Sequence, residues 1–98
     1  MDNQHRKIKG YRELSQDEID LMNRVKAEGV RLQALVVDLK QHVTNQYTAA
    51  SGMDRVEQEE EHARMLTANP YGWIQQAEME LQTALMKLTR SVAQPTFF

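Results

Sequence analysis

An all-α fold is predicted by three observations. Glycine and proline are scarce, at four and two in 98 residues, while Gln, Glu, Leu, Ala, Met, Lys and Arg, all good helix formers, are plentiful. Two long stretches carry apolar residues at spacings of three and four, the period of one face of an α-helix. Start and stop signals stand at the ends of these stretches. The length allows one domain, 1–98, built as two long helices and a short one.

The first helix begins at a capping box. In Ser15-Gln16-Asp17-Glu18, the serine hydroxyl is placed to accept from the Glu18 amide, and the Glu18 carboxylate to accept from the Ser15 N–H. Asp17, Glu18 and Asp20 add negative charge where the helix dipole favours it. The helix is expected from Gln16 to about Gln46. Its seam is Met22, Val25, Leu32, Val36, Leu39 and Val43, with Gly29 at the missing step, a heptad pattern suited to a long helical partner. Val30, Leu35 and Val37 form a second apolar flank, and a helix apolar on more than one side needs more than one partner. Gly29 costs about 1 kcal/mol relative to alanine at a mid-helix position. It is either a tolerated cost or a place where another backbone or a ligand comes close.

Ala49-Ala50-Ser51-Gly52 predicts a break, followed by a short helix within Met53–Thr67, with Asp54 as N-cap and Glu57 at the capping-box position. Glu57-Gln58-Glu59-Glu60-Glu61 reads as a solvated face. Asn69 and Pro70 suit the N-cap and first position of a last helix, which runs to about Ala93 before Pro95 ends it. Its expected seam is Ile74, Ala77, Leu81, Ala84, Leu88 and Val92, with Trp73 and Leu85 beside it. Met53, Met65, Met79 and Met86 read as flexible core filler.

Composition narrows the function. The absence of cysteine removes disulfides and thiolate sites and fits a reducing cytoplasm. No apolar run approaches the roughly 20 residues of a membrane span, and the polar, basic stretch Met1–Gly10 is unlike a secretory signal. Glu59 and His62 have the spacing of half a di-iron motif, but no second copy accompanies them, and His5 and His42 lack companions, so no metal is expected. There is no Gly-x-Ser-x-Gly or phosphate-loop pattern. A non-enzymatic protein without a cofactor is the expectation.

The informative segment is His5-Arg6-Lys7-Ile8-Lys9-Gly10-Tyr11-Arg12-Glu13-Leu14. Within residues 1–12, Arg6, Lys7, Lys9 and Arg12 against Asp2 give a local balance of +3, which leaves −5 for the rest of a chain whose net charge is −2. Such a division suggests a local anion site rather than the broadly basic face of a DNA- or RNA-binding protein. The segment leads into a helix N-terminus, where free amides and the dipole attract phosphate. Tyr11 offers a ring for stacking on a base, a contact worth roughly 1–3 kcal/mol. Lys9 and Arg12 flank it, and Lys26, with Arg24 near it, lies farther into the helix. The alternative is a frayed basic tail with Tyr11 covering the core.

The stretch His5 to Ser15, the continuation Asp20-Leu21-Met22-Asn23, and the ending Leu85-Met86-Lys87-Leu88-Thr89-Arg90-Ser91-Val92-Ala93-Gln94-Pro95 together resemble the phage anti-CBASS cyclic-oligonucleotide sponges. The resemblance covers about the first 40 and the last 25 residues. It implies a compact homohexamer that sequesters cyclic dinucleotides, and cyclic trinucleotides at separate threefold sites, in the host bacterial cytoplasm, so that the immune effector loses its signal. The family's dinucleotide-site tyrosine and lysine match Tyr11 and Lys26. Glu28 and Arg64 are the nearest candidates for the trinucleotide site. The competing expectations are a helical structural or assembly protein of a phage with no nucleotide ligand, a nucleotide-degrading enzyme, and a DNA-binding regulator.

Overall fold

A computed structural model describes residues 13–97. Three helices make up the fold, α1 (Gln16–Ser51), α2 (Arg55–Ala68) and α3 (Pro70–Ala93), and the described residues contain no strand. The chain divides into two compact units, Met1–Arg31 with Leu81–Phe98, and Leu32–Glu80.

The α1 capping box forms in both directions. The Ser15 N–H donates to Glu18 Oε1 at 2.9 Å, and the Glu18 N–H donates to Ser15 Oγ at 3.2 Å. The helix runs past the expected end near Gln46 to Ser51. Ala49 and Ala50 favour helix, and Ala50 is fully buried. Thr44, Thr48 and Ser51 donate their hydroxyls back to the carbonyls of Lys40, Thr44 and Thr48, so these polar side chains are satisfied without leaving the helix. The chain turns at Gly52, where the amides of Gly52 and Met53 bond the carbonyls of Ala49 and Ala50.

Asp54 caps α2 as expected, its carboxylate accepting from the Glu57 N–H at 3.0 Å. Asn69 departs from expectation. It adopts a left-handed conformation (φ 50°, ψ 54°) and is the C-cap of α2, donating to the Met65 carbonyl at 2.8 Å. Asparagine tolerates this region better than most residues. Its own carbonyl accepts from the Trp73 N–H in the first turn of α3, so one residue ends one helix and begins the next. Its amide occupies the space that a Cβ on residue 72 would need, which Gly72 leaves open. Pro70 takes the first helical position, where a missing N–H costs nothing. At the other end Gln94 turns left-handed (φ 52°) and bonds the Arg90 carbonyl.

The unit Leu32–Glu80 contains the core. Val36, Val43 and Ala50 of α1 are buried together with Met65 of α2, which is 1% exposed. The same unit holds a polar and aromatic set. The rings of Tyr47 and Tyr71 stack, with centroids 5.8 Å apart and planes 9° from parallel. The His62 ring lies 6.1 Å from Tyr47. The Thr44 and Tyr71 hydroxyls are 2.6 Å apart, and Lys40 Nζ donates to Glu78 Oε1 at 3.2 Å.

In the unit Met1–Arg31 with Leu81–Phe98, the expected seam residues Met22, Val25 and Gly29 are half-buried, as are Leu14, Leu85, Thr89 and Val92. The α3 seam is corrected across both units. Ile74, Leu81 and Val92 are half-buried as expected, but Ala77, Ala84 and Leu88 are exposed, and Glu78, Leu85 and Thr89 take the inward positions. The two polar members are satisfied, Glu78 by Lys40 and Thr89 by the Leu85 carbonyl at 3.0 Å, so a face read by hydrophobicity alone skips them. Leu39 is also exposed, as are three of the four methionines expected to fill the core, Met53, Met79 and Met86. The second flank of α1, Val30, Leu35 and Val37, is exposed to solvent.

Candidate anion-binding groove

A solvent-open groove of about 560 Å³ lies in the unit Met1–Arg31 with Leu81–Phe98. Its size falls within the range of small-molecule clefts. The half-buried apolar side chains of Leu14, Met22, Val25 and Leu85 form its floor, and Gly29 adds bare backbone. Ile19, Asn23, Lys26 and Met86 are exposed members of the lining, and Thr89 completes it.

The helical period accounts for this set. Met22, Val25, Lys26 and Gly29 recur at i, i+3, i+4 and i+7 and share one side of α1. Leu85, Met86 and Thr89 do the same on α3. Among the described residues that line the groove, Lys26 is the one cation and none is a carboxylate. An apolar floor with a lysine at its edge suits an anion that carries a flat, weakly polar body. The lysine can donate charge-assisted hydrogen bonds to a phosphate.

Of the residues singled out from the sequence as dinucleotide-binding, Lys26 is placed in this groove, while Lys9, Tyr11 and Arg12 lie outside the described residues. Arg24 is exposed and does not line the groove. Asn23, Met86 and Thr89 were missed. The available signal for Asn23 was its place one turn before Lys26. Met86, read as core filler, stands 71% exposed in the groove wall.

The two residues nearest to a trinucleotide-site assignment are engaged within their own helices. Glu28 accepts from Arg31 Nη1 at 3.0 Å. Arg64 bonds Glu61 through Nε at 3.0 Å and through Nη2. This bond holds the Glu61 carboxyl below the usual carboxylate range, against a smaller desolvation effect, and raises the Arg64 guanidinium. Arg64 lines a second depression with Met53, Glu57, Glu60 and Glu61. Three carboxylates make that depression a poor receptor for phosphate.

Glu59 and His62, the half-motif for a metal, have other partners. Glu59 accepts from Arg55 Nε at 3.3 Å, and His62 lies against Tyr47. Among the described residues no group of three or more His, Asp or Glu side chains is placed to hold a metal ion, and no helix is long and apolar enough to cross a membrane.

No protein-family model matches the chain. Among curated proteins, it is 45% identical to anti-CBASS protein 2 of Pseudomonas phage JBD67, an alignment that covers 97% of each chain.

Proposed function

The chain belongs to the phage anti-CBASS protein 2 family, and from that premise we propose that it is a non-enzymatic sponge for cyclic oligonucleotide second messengers. It binds cyclic dinucleotides, and cyclic trinucleotides at a separate site, and withholds them from CBASS-type antiphage immunity in the host cytoplasm. Lys26 holds phosphate, Tyr11 stacks on a base, and Lys9 and Arg12 add positive charge beside it.

The observation that carries this reading is the groove: an apolar-floored cleft with Lys26 in its lining and no carboxylate among the described residues that line it. A cyclic dinucleotide is a compact dianion with two base faces, and a twofold pair of protomers offers two lysines and two tyrosines to match it. The exposed flank Val30, Leu35 and Val37 supports a homo-oligomer, with a hexamer as the assembly implied by the family resemblance. Sequestration needs no hydrolytic group, and inhibition then depends on affinity and protein concentration.

Calorimetry with cyclic di-AMP, followed by denaturation and chromatography of the ligand, tests the proposal. Saturable binding with intact ligand recovered is expected. A linear product would establish a degrading enzyme, and no binding would favour a structural or assembly protein. Tyr11→Ala should abolish dinucleotide binding while the ligand-free melting temperature changes little, because the ring supplies the stacking. Light scattering should give a hexamer mass, and a monomer at micromolar concentration would refute the assembly.

A further inference from the structure

Gly29 lies one helical turn beyond Lys26 and lines the same groove. A Cβ at this position would stand 3.2 Å from Leu85 Cδ1, inside the ordinary carbon–carbon separation of about 3.5–4.0 Å. Leu85 is itself part of the groove lining. The atom that would have to yield is therefore the end of a rotatable side chain with open groove beside it. Stability of α1 does not explain the residue, since alanine is the better helix former at an interior position.

Resting on the sponge reading above, we propose that Gly29 is a positioning residue that keeps the Leu85 branch out of the groove and so preserves a slot for a nucleobase. The slot's chemistry matches that moiety. Met22, Val25 and Leu85 present apolar surface to a planar ring, and Lys26 lines the same groove to take the phosphate. Any side chain at residue 29 turns the leucine methyl toward the space the base needs. The device acts on the ligand through Leu85, not through a contact of its own.

The test is calorimetry with cyclic di-AMP on the full chain, comparing wild type, Gly29→Ala, Leu85→Val and the double variant, with melting curves of each ligand-free protein. Valine lacks the Cδ1 atom that alanine at position 29 would crowd. Gly29→Ala should melt at or above the wild-type temperature yet bind roughly tenfold more weakly, the scale of a modest overpacking penalty. Adding Leu85→Val should recover most of that loss, measured against Leu85→Val alone, which a general effect on α1 would not do. Wild-type affinity in Gly29→Ala, or an equal loss with and without Leu85→Val, would overturn the role of Gly29 and leave the sponge reading standing. Failure of the wild type to bind would overturn both.

Discussion

The unit Leu32–Glu80 contains Val36, Val43, Ala50 and Met65, the four buried hydrophobic residues among those described. In the unit Met1–Arg31 with Leu81–Phe98, no described side chain is buried, and the apolar residues there line an open groove instead. The first of these units also has the stacked tyrosines, the Thr44–Tyr71 hydroxyl pair and the Lys40–Glu78 ion pair. The same heptad seam runs through both parts of α1, so apolar spacing does not account for the difference. What differs is the burial the seam reaches: Val36 and Val43 are buried in one unit, whereas Met22, Val25 and Gly29 are only half-buried in the other and line the groove. A closed core supplies stability, whereas half-buried apolar side chains lining a cleft still have surface to bury against a ligand.

Three substitutions bear on this contrast, in decreasing order of expected effect. Met65→Ala empties the most completely buried large side chain and should lower the unfolding free energy by about 2–5 kcal/mol. Urea denaturation measures it, and a loss below about 1 kcal/mol would mean that the four residues do not form the stabilising core. Lys26→Ala should weaken cyclic dinucleotide binding by about 1.5–3 kcal/mol per site, the range for a hydrogen bond to a charged group. The urea midpoint should not fall, because alanine is a slightly better helix former than lysine. Unchanged affinity in the folded variant would remove Lys26 from the site.

The smallest effect concerns Arg64. The folded-state pKa of Glu61 is lowered by the Arg64 hydrogen bond. Its contribution to stability is therefore present above the unfolded-state carboxylate pKa and is lost as pH falls through the folded value. Both groups are solvent-accessible, so screening keeps the effect slight. Arg64→Ala should narrow the difference between urea midpoints measured at neutral and at acidic pH. A variant whose midpoint falls more at acidic than at neutral pH would contradict that sign.

Local signals were legible where the interaction is local. The Ser15–Glu18 box and the Asp54 cap join residues three apart, so their geometry follows once a helix starts. Asn69 shows the limit of such reading. The same residue type serves an N-cap and a left-handed C-cap, and which one forms depends on how closely two helices follow each other. Of the candidate site, Lys26 was legible through its place on α1 and its match to the family. Met86 and Thr89 were not, because they become neighbours of Lys26 only when part of α3 lies alongside part of α1. Asn23 sits one turn before Lys26 on α1 itself, but spacing alone did not set it apart from the other exposed polar residues of that helix.

By itself the sequence determined an all-helical chain, its three helix starts, the seam of α1 apart from Leu39, and membership of the phage family. Helix period and capping depend on neighbours within one or two turns, and family identity resides in the order of residues. Tertiary structure alone decided the inward face of α3. There Glu78, Leu85 and Thr89 take the positions expected for Ala77, Ala84 and Leu88, and the distant Lys40 pairs the Glu78 carboxylate. It also decided that Met65 is buried while Met86 stands exposed in a groove wall. Burial depends on which surfaces meet across distant positions in the chain, and a side chain's own polarity does not specify that meeting.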